Sequence, residues 1–135
     1  MLNLAAVALK RNDLKTARAF LERAQKNPVS LAQAEEMLAI VEQREKGQID
    51  LARLRMAART DPSSWPIMRR YLAGLAVTGQ LPRAVAELRV LLQTEWYRAE
   101  SWQLLSEYLT RLGKIPEATA AQAKAHALDV HLNDH

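Results

Sequence analysis

The chain has 135 residues, of which 49% are apolar and 25% charged, a balance that fits one compact unit and excludes disorder. Few glycines and prolines, with many alanine, leucine, arginine and glutamate residues, favour helix nearly throughout, so the predicted fold class is all-α. The formal net charge of +4 is a modest excess, and no apolar run approaches the roughly 20 residues that cross a bilayer. Without cysteine there is no disulfide framework or thiolate metal site, and both the cytoplasm and the periplasm stay open as compartments.

The first predicted helix is apolar around most of its circumference. Residues 2–9 are apolar apart from Asn3, and no charge precedes Lys10. A second predicted helix begins after Asn12-Asp13 and ends before Pro28. These two helices form the first of four predicted pairs.

The second pair departs slightly from the other pairs in its spacing. Ser30 followed by Gln33 has the form of a capping box that opens a helix, and Gly47 ends that helix. The partner helix is predicted to start at Ile49 and to stop at residues 60–64. Because the turn at Gly47 comes about two residues late, the second helix of this pair is expected to be short.

The third and fourth pairs have clear punctuation. Apolar residues at three- and four-residue spacings predict a helix from Trp65 to Thr78, and Gly79 suits the left-handed position that ends it. Pro82 fits the first turn of the next helix, where its missing N–H costs little. In the fourth pair Gly113 ends the first helix and Pro116 opens the last one.

One phrase recurs at the turn inside each pair. Its four forms are Asn12-Asp13-Leu14 with Ala17, Gly47-Gln48-Ile49 with Ala52, Gly79-Gln80-Leu81 with Ala84, and Gly113-Lys114-Ile115 with Ala118. The last two lie 34 residues apart, as do Pro28 and Pro62. A fixed period in this range is typical of a stacked-repeat solenoid, which offers an extended binding surface rather than an enclosed catalytic pocket.

These residues resemble the tetratricopeptide repeat (TPR), a helix-turn-helix repeat of 34 residues. Residues 99–132 match best, with Trp102, Leu105, Ser106, Ala118 and Ala125 at motif positions. The resemblance implies a right-handed α-solenoid of about four antiparallel helix pairs. It also implies a single array over residues 1–135, with repeats at approximately 1–30, 31–64, 65–98 and 99–132. The first repeat lacks its opening residues, since Met1 falls where the motif's tryptophan stands.

A TPR-like array implies that a partner lies in the concave groove lined by the first helix of each pair. By that analogy the groove residues are Met37, Val41, Arg44, Arg69, Arg70, Ala73, Val77, Gln103, Glu107, Thr110 and Arg111. Arg69 and Arg70 are the preferred anchors, because adjacent guanidinium groups can grip a carboxylate or phosphate. The alternative is that both arginines are simply solvated.

Other residue types give weaker indications. Trp65 and the Trp96–Tyr97 pair are expected to pack over the joints between repeats, and exposure of the pair would mark a second interaction surface. His126, His131 and His135 lie near the end of the chain without metal-site geometry, so no metal or cofactor is predicted. No activated nucleophile or nucleotide-binding glycine loop occurs, and an enzyme is not predicted.

The sequence therefore predicts a scaffold or adaptor that binds a peptide or helix of another protein, with an acidic or extended segment as the favoured partner. A first alternative is a structural segment of a longer repeat protein that self-associates through residues 1–9, because a terminal helix should otherwise show a polar face. A second alternative is a helical-repeat nucleic-acid binder. It rests on nine basic against four acidic residues between Arg44 and Arg89, and the apolar groove positions weigh against it.

Overall fold

The computed structural model describes the backbone of residues 1–133 and side chains as far as Asp129. This part of the chain contains eight α-helices and no strand, which confirms the all-α prediction. The helices are α1 (Leu2–Lys10), α2 (Leu14–Ala24), α3 (Leu31–Lys46), α4 (Leu51–Thr60), α5 (Trp65–Val77), α6 (Leu81–Leu92), α7 (Ala99–Arg111) and α8 (Ile115–Asn133). No helix within the described residues is both long and apolar enough to cross a membrane.

The recurring phrase marks the same backbone turn in all four pairs. Its first residue has a positive φ in every case: 57° at Asn12, 70° at Gly47, 82° at Gly79 and 78° at Gly113. Glycine adopts this left-handed conformation without steric cost, and asparagine is among the few other residues that tolerate it. The turn of each pair is therefore set by one residue.

The first helix of the second pair starts where the sequence predicts, and the second starts later. Ser30 is the N-cap residue of α3, but its side chain makes no capping hydrogen bond and its hydroxyl instead donates to the Ala24 carbonyl at 2.8 Å, so the capping-box interpretation is wrong. The next helix starts at Leu51 rather than Ile49, since the Asp50 carboxylate accepts from the Arg53 backbone N–H at 3.0 Å and fixes the N-cap. With 16 residues in α3 and 10 in α4, this pair has the late turn and short second helix that the sequence predicts.

The chain divides into two compact units, residues 1–74 and 75–135, and the single array predicted from the sequence stays a prediction. In the first unit α1 packs on α2, α2 on α3, and α3 on α4. One hydrophobic cluster joins the first three helices, with Phe20 and Ile40 partly buried against it. Its buried members are Ala5, Ala8, Leu9, Ala17, Leu21, Ala24, Ala34, Met37, Leu38 and Val41.

A polar network ties α4 to α3 within the first unit. The Arg53 guanidinium donates to the Glu35 carboxylate at 2.8 Å and to the Glu42 carboxylate at 3.0 Å. The Gln25 amide donates to the other oxygen of Glu35 at 2.5 Å. Only 5% of the Glu35 side chain and 13% of the Glu42 side chain are exposed, so Arg53 neutralises two largely buried carboxylates.

In the second unit α7 packs along α8 and also contacts α6. Ser106 lies between α7 and α8, and its hydroxyl donates to the Ala118 carbonyl at 2.9 Å. A serine and an alanine at this position allow the two helices to approach closely. The buried side chains around this pair are those of Leu88, Leu105, Tyr108, Leu109, Ala121 and Ala125.

Candidate functional site

The exposed face of α5 in the first unit carries both arginines that the sequence singled out. Tyr71 and Leu72 are buried at 3% and 0% exposure, while Arg69, Arg70 and Ala73 point to solvent. The helical period produces this division, because residues three and four apart share a face. Arg69 and Arg70 therefore stand together on an open surface next to a small side chain.

The two arginines differ in their contacts. Arg70 Nε lies 3.2 Å from Glu36 Oε2 on α3, and the Glu36 side chain is only 14% exposed. Among residues 1–129, whose side chains the structure describes, no hydrogen bond or ion pair engages Arg69. One guanidinium is thus held in place across two helices, and its neighbour is available to a partner.

A cleft of about 410 Å³ lies beside Glu36 between the starts of α3 and α5. Its lining mixes apolar and polar groups: Pro28, Val29, Ala32, Gln33, Glu36, Thr60, Asp61, Ser64, Pro66 and Ile67. Val29 stands 93% exposed at this cleft. The Arg69–Arg70 face of α5 and this cleft together are called the α3–α5 face below.

Three predicted groove residues in the second pair have other roles. Met37 and Val41 are 8% and 0% exposed and belong to the core cluster, so their assignment to the groove is corrected. They are buried because α3 contacts α1, α2 and α4, which covers most of its circumference. Arg44 is exposed, but its guanidinium donates to the Leu9 carbonyl at 2.7 Å, near the end of α1, where that carbonyl also accepts from the Asn12 backbone N–H at 3.0 Å.

In the second unit the remaining predicted residues lie on open surface. Val77 is 72% exposed, and the side chains of Gln103, Glu107, Thr110 and Arg111 line one exposed side of α7. The Glu107 and Arg111 side chains pair with each other at 2.8 Å, one turn apart, with more than half of each exposed. The α7 side is therefore a solvated surface whose charges are already balanced.

An exposed aromatic cluster precedes α7. The sequence predicts that these residues pack over the joints between repeats. Trp65 is 9% exposed, as expected for packing at a joint, whereas Trp96 and Tyr97 are 59% and 54% exposed. The Trp96 carbonyl accepts from the indole N–H of half-buried Trp102 at 2.7 Å. Lys124 Nζ lies 4.6 Å from the Trp102 ring, beside a cavity of about 310 Å³.

The first helix exposes apolar side chains, in line with its unusual composition. Met1, Leu4 and Val7 are 48%, 54% and 47% exposed, while the neighbouring Ala5 and Ala8 are buried in the core. These three residues fall on one stripe at three-residue spacing, which is called the α1 stripe below.

A second open groove runs along α7 and α8. It has a volume of about 650 Å³ and is lined by Ser106, Thr110, Ile115, Ala118, Thr119, Gln122, Ala123 and His126. This is called the α7–α8 groove below. The side chains of His131 and His135, which the sequence raised as metal candidates, lie outside the described residues.

The fold and these surfaces define an all-helical protein built from helix-turn-helix pairs. No family model matches the sequence, and no curated protein matches it. Among solved structures, one described as MamA MSR-1 C2 superposes with a TM-score of 0.71 at 18% identity, over 96% of this chain and 75% of that chain. MamA residues 41 to the end from Desulfovibrio magneticus RS-1 gives 0.67 at 19% identity, over 94% and 72%. These likenesses show the fold, which is that of TPR-like solenoid proteins.

Proposed function

We propose that this chain is a protein-interaction scaffold that binds an extended segment or helix of a partner protein on the α3–α5 face. The observation that carries the proposal is the exposed Arg69, which no side chain described in residues 1–129 engages and which follows Pro66, in the lining of a cleft of about 410 Å³, by three residues along α5. A partner segment can place apolar side chains in the cleft and an acidic group on Arg69. The TPR-like fold supports the proposal, because helical-repeat stacks present extended binding surfaces.

The charges on this face favour an acidic partner, although Glu36 competes with that partner for Arg70. Glu36 neutralises Arg70 in the free protein, so Arg69 supplies the available positive charge. An incoming carboxylate can form a bidentate pair with Arg69 and can also compete with Glu36 for Arg70. Removing the Glu36 charge should therefore strengthen the binding of an acidic segment.

The experiment is a selection of peptides from a displayed library on the purified chain, followed by calorimetry of the best acidic binder with four variants. Arg69→Glu is expected to weaken that binder by about tenfold or more, because a charge-assisted pair becomes a repulsion. Glu36→Gln is expected to strengthen it by a few-fold. Arg83→Glu makes the same charge change at an exposed site in the first turn of α6, and it should leave the affinity for the peptide nearly unchanged. Arg70→Glu should fall between the first variant and this control.

Equal weakening by Arg69→Glu and Arg83→Glu would show that net charge, and not the α3–α5 face, governs binding. An unchanged affinity in Arg69→Glu would place the peptide elsewhere. Either result would overturn the proposal for this face.

A second candidate function is self-association through residues 1–9, and the exposed α1 stripe favours it. Three apolar side chains in a row that stand about half exposed are typical of a surface that another helix covers. The nucleic-acid alternative gains no such support. Arg53 is neutralised by Glu35 and Glu42, and Arg70 by Glu36, so the central arginines are less available than their number suggests.

A further inference from the structure

The first unit shows what covers a surface like the α7–α8 groove. The start of α8 corresponds to the start of α2, 101 residues earlier, where the recurring phrase places Ile115 on Leu14 and Ala118 on Ala17. The same shift places the groove residues Ser106, Thr110 and Gln122 on Ala5, Leu9 and Leu21. In the first unit these positions pack against residues of α3 in the core cluster. In α7 and α8 the equivalent surface is open.

The contact of α5 with α4 shows which face of a first helix covers the preceding pair. The Arg55 guanidinium donates to the Tyr71 hydroxyl at 3.2 Å. A Cβ atom built on Gly74 would lie 3.1 Å from Leu51 Cδ2 and 3.2 Å from Leu54 Cδ1. Tyr71 and Gly74 therefore mark the face of α5 that lies on α4.

The α1 stripe is the same face. Equivalent turns at Asn12 and Gly79 are 67 residues apart, so Leu4 corresponds to Tyr71 and Val7 to Gly74. In α5 these positions are covered by α4, whereas in α1 they are half exposed and apolar. The α1 stripe thus carries the covering face of a first helix.

We propose that the α1 stripe of one copy docks into the α7–α8 groove of a second copy, so that copies associate head to tail. The proposal deepens the second candidate function, self-association through residues 1–9, and rests on it. In the contact of α5 with α4, Gly74 lies against Leu51 and Leu54, in the first turn of α4. Ile115 and Ala118 hold the same places in the first turn of α8. Val7, which corresponds to Gly74, therefore contacts Ile115 and Ala118 of the next copy. Such a contact joins two different surfaces and repeats from copy to copy.

The chemistry of the groove suits an apolar occupant. The Ser106 hydroxyl donates to the Ala118 carbonyl, the Thr110 hydroxyl to the Ser106 carbonyl at 2.8 Å, and the Thr119 hydroxyl to the Ile115 carbonyl at 3.0 Å. These three hydroxyls already have partners, so an arriving apolar side chain leaves none of them without one. The groove offers methyl groups and alanines to the helix, together with Ile115, which is 53% exposed.

The test uses one variant for each surface and a control on each helix. Val7→Glu disables the α1 stripe, and Ala6→Glu places the same charge on a neighbouring exposed position of α1. Ile115→Glu disables the groove at the first residue of α8, where an acidic side chain favours the helix. Ala120→Glu places a carboxylate on α8 outside the groove. Circular dichroism and thermal unfolding check that all four variants fold.

Sedimentation equilibrium then measures mass against concentration. The unmodified chain and both controls should show a rising average mass, and each of the disabled variants should need about tenfold more protein, or greater, for the same rise. An equimolar mixture of Val7→Glu and Ile115→Glu should form 1:1 dimers and nothing larger, since each partner keeps one intact surface.

Three results would overturn the head-to-tail arrangement. A monomeric unmodified chain at millimolar concentration would remove self-association itself. Association lost in Val7→Glu but retained in Ile115→Glu would indicate a symmetric α1–α1 contact, which leaves the second candidate function standing. Controls that fail as strongly as the disabled variants would show a charge effect. The peptide affinity of the α3–α5 face should stay unchanged in all four variants, so this test and that proposal fail separately.

Discussion

The network around Arg53 gives a sharp stability prediction. Replacing Arg53 with methionine keeps a helix-forming side chain of similar length. It removes the positive charge that pairs with Glu35 and Glu42. Because 5% and 13% of those side chains are exposed, two carboxylates are left largely buried without a cation. Breaking a buried pair in this way costs about 3–5 kcal/mol, and the 22% exposure of Arg53 places the expected loss near the lower figure, about 3 kcal/mol.

A matched control distinguishes the effect of the burial of an ion pair from the effect of its N–O distance. The Arg89–Glu117 pair is shorter, at 2.6 Å, but about half of each side chain is exposed. Water already solvates such a pair, so Arg89→Met is expected to cost less than about 1 kcal/mol. If the N–O distance governed the contribution of an ion pair to stability, Arg89→Met would lower the free energy of unfolding more than Arg53→Met.

The assay is urea unfolding at pH 7, with thermal unfolding in parallel. A loss of about 3 kcal/mol is a large share of the roughly 5–15 kcal/mol that holds a domain folded, and lowers Tm by about 10 °C. Adding Glu35→Gln to Arg53→Met should recover part of the loss, because it removes one of the two stranded charges. A loss no greater than that of Arg89→Met would refute the reasoning.

Two further predictions concern Asp50 and the positive-φ turns. A hydrogen bond with Glu42, more than the backbone N–H and charge of Arg53, lowers the pKa of Asp50 from its ordinary 3.8. A pKa that is lowered in the folded state contributes stability at neutral pH, and this stability is lost as the pH falls through that pKa. Asparagine still caps α4, so in Asp50→Asn the free energy of unfolding should fall less steeply below about pH 4. At Gly113 no atom lies within 4 Å of a built Cβ, so Gly113→Ala should cost about 1–2 kcal/mol through backbone strain alone. Asn12→Gly should cost nothing by the same measurement of urea unfolding, and a loss there as large as that of Gly113→Ala would contradict the strain argument.

The turns and the fold class could be predicted because they depend on local physics. A positive φ is imposed by a single residue, and four such residues in one recurring phrase identify the pairs. The capping box at Ser30 and the helix start at Ile49 were predicted wrongly, because both depend on competing groups nearby. The Ala24 carbonyl takes the Ser30 hydroxyl, and the Asp50 carboxylate starts α4 two residues after Ile49.

The groove residues of α3 could not be predicted from their motif positions. Met37 and Val41 are apolar residues on a helix that its neighbours cover on most sides, and the sequence pattern alone does not say how many neighbours a helix has. One signal was available, because residues 37–41 of α3 form an unbroken apolar run, which indicates burial on more than one side. On α5, where Arg69 and Arg70 interrupt the apolar pattern, the analogy placed both residues on open surface.

The two equivalent grooves of this chain differ in a way that bears on their use. Positions held by Leu9 and Leu21 in the first pair, where α3 covers them permanently, are held by Thr110 and Gln122 in the last pair. Less apolar surface is then removed from water when a helix enters, so the contact contributes less free energy than its internal counterpart. A surface that keeps the shape of a core but has polar groups at its centre can remain hydrated and still accept a helix. The last pair is therefore suited to a reversible contact, whereas the first pair is built for a permanent one.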